Sequence, residues 1–346
     1  MTDLYLDAFA LACPPSEAGE EGFRKYILNI VSWKELRAAN WATIYILKKT
    51  YEDLAKTNSY PPWDTLKRSI YIFGIQDVQP KDVVDIVNGL LEKSALLEDA
   101  LKIDDILFEN VESSCPEYYK SRHPVFVEHY ERLAMLACLR IVLMSTAESK
   151  QIMISLHTGE KPHEINLSGK ISYCTYYEGG PDHLTFPITV VGSFYLCNSL
   201  RVLYLCVNPC DIWTSGHCEE VFRNALVVFM YQQEHNSGLN PNLFENKPYG
   251  FGAEFFLSLE RLNFTNNPTK MRKLFRACAG TIIGQDLKAT HWLRMGEGGN
   301  SPQRMRGKEG AWRRDIDQEY HLHYWQTEKG PEFASIVFHN DMNIPE

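Results

Sequence analysis

No stretch of this sequence is long and apolar enough to read as a membrane span. The longest apolar run, Leu133 to Met144, is interrupted by Arg140. It falls short of the about 20 residues a bilayer-spanning helix needs and reads instead as a buried helix. The sequence opens Met1-Thr2-Asp3 without a basic region, and Pro14-Pro15 soon breaks its apolar stretch, so no secretory signal is expected. A disulfide framework is also missing. The nine cysteines are odd in number and scattered, with Cys138, Cys197 and Cys206 inside apolar runs. That usage fits reduced, buried thiols and a cytoplasmic location. There is no internal repeat, no low-complexity segment and no G-x-x-x-x-G-K-[ST] phosphate loop, and no Ser/His/Asp set can be picked out. No cofactor and no membrane partner are expected.

What is present is material for cores. Of 346 residues, 45% are hydrophobic and 23% charged, so the chain is not disordered and its length predicts two or three domains. The expected fold class is α+β, in three parts. Residues 1–147 read as mainly helical, with segments at Phe23–Ala39, through Trp41, Ile44, Ile46, Leu47 and Leu54, from Trp63 to Phe73, over Asp82–Leu101, and over Pro124–Met144. Residues 148–265 carry short runs rich in β-branched and aromatic side chains at Gln151–Leu156, Ile171–Tyr177, Leu184–Val191 and Val202–Val207. These predict an antiparallel sheet, followed by a helix over 216–235. Residues 266–346 predict a small module: helices at Lys270–Cys278 and Gln285–Met295, a loop, then strands at Ala311–Asp317, Tyr320–Gln326 and Glu332–His339.

Charge is unevenly spread. The whole chain carries −9, yet Lys270 to Arg314 holds eleven Lys or Arg against three acids, a net of +8. From Asp315 onward there are seven acids and one Lys, a net of −6, which leaves −11 for residues 1–269. A clustered basic block is what phosphate binding needs, since counterion release rewards it. Residues 270–314 are therefore the expected contact for nucleic acid, RNA in preference. The competing account is a solvated basic face matched by acids of the same chain.

Side chains alternate along a strand. Tyr320, Leu322 and Tyr324 point one way, and His321, His323 and Trp325 the other. With the tyrosine face on the helices, both imidazoles are expected on an open face beside Arg313 and the loop cations Arg304, Arg306 and Lys308. Such groups suit RNA cleavage: a base for the 2′-hydroxyl, an acid for the leaving oxygen and cations for developing charge. The candidate catalytic residues are His321, His323, His339 and Arg313. The candidate nucleic-acid contacts are Arg294, Arg304, Arg306, Lys308 and Arg314. The plain alternative is that all of these are sheet-surface residues.

The order Leu293-Arg294-Met295-Gly296-Glu297, Pro302-Gln303-Arg304, Gly310-Ala311-Trp312-Arg313-Arg314-Asp315-Ile316, Tyr320-His321-Leu322-His323-Tyr324 and His339-Asn340-Asp341 resembles the RelE/ParE toxin superfamily. The resemblance covers only the last part of the chain. It implies a compact α/β module and metal-independent, ribosome-dependent mRNA cleavage, with Arg304, Arg306, Arg313, His323 and His339 at the working positions. His321 stands where the pattern has Arg. ParE-like members do not cleave RNA. The resulting expectation is a toxin-like or defence-associated effector that binds and cleaves RNA. The alternatives are a subunit that only docks nucleic acid, or an adaptor whose helical N-terminal region meets a protein partner.

Two further groups stand out. Cys206, Cys210, His217 and Cys218 carry zinc-ligand chemistry at a spacing unlike a standard knuckle, and core thiols beside a helix start explain them as well. Leu4–Leu11, with Asp7, resembles the opening strand of a PIN-domain nuclease, in which the aspartate helps hold a divalent metal. Because the following residues read as helices, an apolar anchor bordered by Asp7 is the preferred account.

Overall fold

The computed structural model describes residues 2–39, 41–75, 78–144, 151–157, 159–177, 184–237, 247–285, 287–296 and 301–346. The chain mixes α and β structure and divides into two compact units, Thr2–Cys206 and Val207–Glu346. Among the described residues no helix is long and apolar enough to cross a membrane.

The N-terminal unit contains, in chain order, β1 (Thr2–Leu6), α1 (Gly19–Ala38), β2 (Ala42–Ile46), α2 (Thr50–Lys56), α3 (Trp63–Ile72), α4 (Pro80–Lys93), β3 (Ala95–Leu96), α5 (Leu97–Leu101), β4 (Ile103–Ser113), α6 (Pro124–Met144), β5 (Gln151–Ile154), β6 (His163–Tyr176), β7 (Ile188–Cys197) and α7 (Leu200–Cys206). Its seven strands form one sheet in the order β3-β2-β1-β5-β7-β6-β4. The run from β3 to β7 is parallel, while β6 is antiparallel to both β7 and β4.

This arrangement corrects the helical reading of residues 1–147. The second predicted helical segment is β2 followed by α2. A central parallel strand is buried on both faces, so Ala42-Thr43-Ile44-Tyr45-Ile46 is a continuous apolar run without alternation, which periodicity alone assigns to a helix. β1 behaves in the same way at the middle of the sheet. β4 is an edge strand whose acids, Asp104, Asp105, Glu109 and Glu112, obscure its strand pattern; such charges discourage pairing with other chains. The Val202–Val207 strand is instead α7, begun by Ser199, whose hydroxyl accepts from Val202 N.

Neither predicted boundary, near 147 and near 265, separates units. β5 pairs with β1, so residues after 147 complete the same sheet, and the helices Phe255–Arg261 and Pro268–Ile283, on either side of 265, both pack on the strand Gly330–Phe338. The core of the first unit lies between α6 and one sheet face, where Leu133, Met135, Leu136, Cys138 and Leu139 meet Tyr5, Met153, Ile165, Leu167, Val190 and Phe194. Gly192 on β7 lets α6 come close: a Cβ there would crowd Phe194, Ile141 and Cys138.

At the carboxyl end of β1, Asp7 is fully buried. Its Oδ2 accepts from Arg122 Nη1 at 2.5 Å and from Ser155 Oγ at 2.7 Å, and its Oδ1 accepts from Phe9 N at 3.2 Å. Arg122 also reaches the Leu156 carbonyl at 2.9 Å and lies over the Phe9 ring. The PIN-like expectation of a metal-holding aspartate is not supported: this carboxylate neutralises a guanidinium and closes the junction between β1 and β5.

The C-terminal unit contains α8 (Pro209–Thr214), α9 (Glu219–Ser237), β8 (Gly250–Phe251), α10 (Phe255–Arg261), α11 (Pro268–Ile283), β9 (Thr290–Trp292), β10 (Met305–Arg306), β11 (Glu309–Asp315), β12 (Tyr320–Thr327) and β13 (Gly330–Phe338). The predicted meander is present as β11–β12–β13, extended by β8 beside β13 and by β9 and β10 beside β11. α11 begins at Asn267, which caps it, and ends at Gly284 in the left-handed region. The second predicted helix, Gln285–Met295, is not formed: a short turn at Leu287–Ala289 leads into β9, which pairs Trp292 with Trp312 and His291 with Arg313.

Candidate nucleic-acid interface

The expected open face of the meander is closed. Tyr320, Leu322 and Tyr324 are buried, as predicted, but His321, His323 and Trp325 are buried as well. Residues 341–346 run across that second face as a strap. His323 Nδ1 donates to the Asn343 carbonyl at 2.9 Å, and Trp325 Nε1 donates to the Pro345 carbonyl at 2.8 Å. Ile344 completes a small core with Leu293, Ala311, Trp325 and Ala334. The alternation holds, with His321, His323 and Trp325 on one face, but a segment distant from β12 in sequence covers that face.

Burial decides the chemistry of the two imidazoles. It lowers the His321 pKa to about 4, helped by the neighbouring His339 and Arg313 and opposed by Asp315. His323 is also lowered to about 4, by burial first, with its bond to Asn343 acting the other way. Both rings are therefore neutral at pH 7 and sealed from solvent. His321 Nε2 lies 2.9 Å from Asp315 Oδ1, yet neither ring nitrogen makes an aligned hydrogen bond. His339, just after β13, is exposed and packs against His321 with ring centroids 4.2 Å apart and the planes tilted by 40°.

Of the cations after Pro302, Arg304, Arg306, Lys308 and Arg314 do not gather with the imidazoles. Arg306 is matched by Glu309 at 2.7 Å and Glu332 at 2.8 Å and lies over the Trp325 ring. Arg314 is buried on the α11 side, where it donates to the Gln285 carbonyl and the Thr290 hydroxyl. Lys308 is exposed at the tip of the β10–β11 hairpin, next to Gly307 with its positive φ of 61°. Arg304 is half-buried, and its backbone links Leu293 to Ala311.

What the fold does assemble is a groove along the β9 edge. It is lined by Thr290, His291, Trp292, Arg294, Trp312, Arg313, His339 and their neighbours Gly296, Asn340 and Met342. Three predicted residues, Arg294, Arg313 and His339, meet here. His291, Trp292 and Trp312 were missed, because a three-residue strand reading Thr-His-Trp has too little pattern to show its pairing. Trp292 is half exposed at 51%, meets Trp312 edge-on at 6.2 Å and has the Arg294 guanidinium 6.0 Å from its ring centroid, so part of the indole is open to solvent. Arg294 is held by the Ser301 carbonyl at 2.6 Å. Arg313 touches Met342 Sδ, and its Nε has no hydrogen-bond partner among the described residues. Two guanidiniums, two imidazoles and two indoles thus line one groove at the sheet edge, with Trp292 and Trp312 on one face and His291 and Arg313 on the other, and its described lining holds no carboxylate.

The zinc candidates do not come together. Cys206 faces Cys197, with their sulfurs 3.5 Å apart; Cys210 donates to the Pro268 carbonyl; the His217 ring packs tilted against Trp213; Cys218 is exposed. No group of three or more His, Cys, Asp or Glu side chains suited to a metal occurs among the described residues. No family model, no curated protein and no solved structure matches this chain.

Proposed function

We propose that the C-terminal unit binds a single-stranded segment of nucleic acid, RNA in preference, in the β9-edge groove. The supporting observation is the lining itself: guanidiniums suited to phosphate beside a half-exposed indole on which a base can stack. Single-strand binding sites combine these two elements, a cationic track and aromatic platforms. A phosphate needs the charge of Arg294 and Arg313, and a base needs Trp292; neither needs the buried histidines.

This reading places docking ahead of cleavage. His321 and His323 are sealed and neutral, which leaves His339 and His291 as the imidazoles within reach of a ligand. In a toxin-like or defence-associated effector, the unit would supply attachment to RNA. Any cleavage by it would have to run through that outer pair.

Anisotropy of a labelled single-stranded RNA with the full chain tests the proposal. Trp292→Ala should cost about 1–3 kcal/mol of binding. Arg294→Ala should weaken all sequences alike and reduce the slope of log K against log salt by roughly 0.7. Absence of binding at low salt, or binding indifferent to both changes, would contradict it.

A further inference from the structure

Because β6 runs antiparallel to β7 and to β4, its first residues lie at the sheet end where β5, β7 and β4 finish. In open α/β sheets, loops converge at the carboxyl ends of the parallel strands and ligands bind there. Two chemically active side chains meet at this end of the N-terminal unit. Cys115 follows β4 and His163 opens β6, and their Sγ and Nε2 are 2.9 Å apart. The Tyr118 hydroxyl lies 3.5 Å from the other ring nitrogen, and the Tyr118 ring meets His163 edge-on at 4.9 Å. The loop is pinned: Ser114 N donates to the Asn166 carbonyl, Asn166 N donates to Ser114 Oγ, and Cys115 N donates to Ser113 Oγ.

The other thiols differ. Cys13, Cys138, Cys174, Cys197, Cys210 and Cys278 are buried. Burial pushes Cys13 and Cys138 up to about 12 and Cys174 up to about 11, which makes them inert. Cys206 is half-buried against Cys197, and Cys218 is exposed and makes no described hydrogen bond to an imidazole, the ring of its neighbour His217 lying against Trp213. Cys115 and His163 are both half-buried, so solvent reaches a thiol that already has a base on it. A nucleophile within hydrogen-bond reach of a base, with a third group on the base's far nitrogen, is the arrangement of covalent catalysis. Among the described residues no second thiol contacts Cys115, so disulfide exchange has no described partner there, whereas a single base that takes a proton and returns it suits acyl transfer.

We propose that Cys115 and His163 form a nucleophile–base pair that accepts acyl groups from activated esters or thioesters. His163 Nε2 takes the thiol proton as Sγ attacks the carbonyl carbon. A carbon–sulfur bond forms, the bond to the leaving oxygen or sulfur breaks, and His163 returns the proton to that leaving group. Water, losing a proton to His163, then attacks the thioester carbon; the carbon–sulfur bond breaks, the carboxylic acid leaves, and His163 returns that proton to Sγ to restore the thiol.

The test treats the full chain with p-nitrophenyl acetate at pH 7 and follows acetylation of each cysteine peptide by mass spectrometry. Exposed Cys218 is the internal comparator. Cys115 should acetylate at least about tenfold faster than Cys218, a modest share of what a positioned base supplies. His163→Gln should bring it down to the Cys218 rate. Cys218 reacting as fast as Cys115 in the unaltered chain, or an unchanged Cys115 rate in His163→Gln, would overturn the proposal. The first comparison requires no variant to fold.

Discussion

In the N-terminal unit the buried carboxylate of Asp7 is saturated by a guanidinium, a hydroxyl and a backbone amide, whereas in the C-terminal unit His321 and His323 are buried with three of their four ring nitrogens lacking an aligned partner. Both burials carry a desolvation cost. The first offsets it with opposite charge and hydrogen bonds, and the second by leaving the imidazoles neutral. The difference predicts a unit sensitive to losing a partner and a unit sensitive to gaining a proton.

The largest effect should come from unpairing the ion pair. Asp7→Ala leaves Arg122 buried without its counter-charge and should cost about 3–5 kcal/mol, read by denaturant unfolding. A loss under about 1 kcal/mol would mean that Arg122 finds other acceptors and that the contrast between the units is smaller than drawn.

Acidification should act on the other unit. Unfolded histidines titrate near 6.5, while His321 and His323 do so near 4 when folded. Between these values the unfolded chain binds more protons, so stability is full above 6.5, falls as pH drops through the window, and levels off near 4. Thermal unfolding at pH 7 and pH 5 should show a loss of several degrees for the C-terminal unit, and His321→Phe with His323→Phe should flatten it. An unchanged transition would show that the strap over these rings opens readily.

Ile344→Ala tests that strap directly. Ile344 is 8% exposed and fills the core around Trp325, so truncation should cost about 2 kcal/mol, the lower end for a buried isoleucine. The smallest effect belongs to Arg306→Gln, which removes half-exposed ion pairs with Glu309 and Glu332 and should cost less than about 1 kcal/mol.

The sequence made some of this legible and withheld the rest for physical reasons. Helical periodicity located α1, α3, α4, α6, α9 and α11, and period-two alternation located β11, β12 and β13 within a few residues. β2 was hidden because a parallel strand covered on both faces loses its alternation, and β1 showed only as a short apolar run. Asp7 was noticed, but its partner Arg122 lies 115 positions away, and no local pattern links them. The same limit applied to the candidate site. Strand alternation put His321 and His323 on one face, and that was right; the burial of the face by Asn343, Ile344 and Pro345 is a tertiary event. The charge count correctly isolated a basic block, but it could not show that Arg306 and Lys273 are matched by Glu332 and Asp317 from the acidic stretch that follows. Only Arg294, Arg313 and His339 among the predicted residues reached the groove.

Ultraviolet crosslinking of the full chain to single-stranded RNA, with peptide mapping by mass spectrometry, tests the proposed site most directly. Adducts are predicted on the peptides carrying His291, Trp292 and Trp312. Adducts confined to the Lys308 hairpin or to the N-terminal unit, with those three residues unmodified, would contradict it.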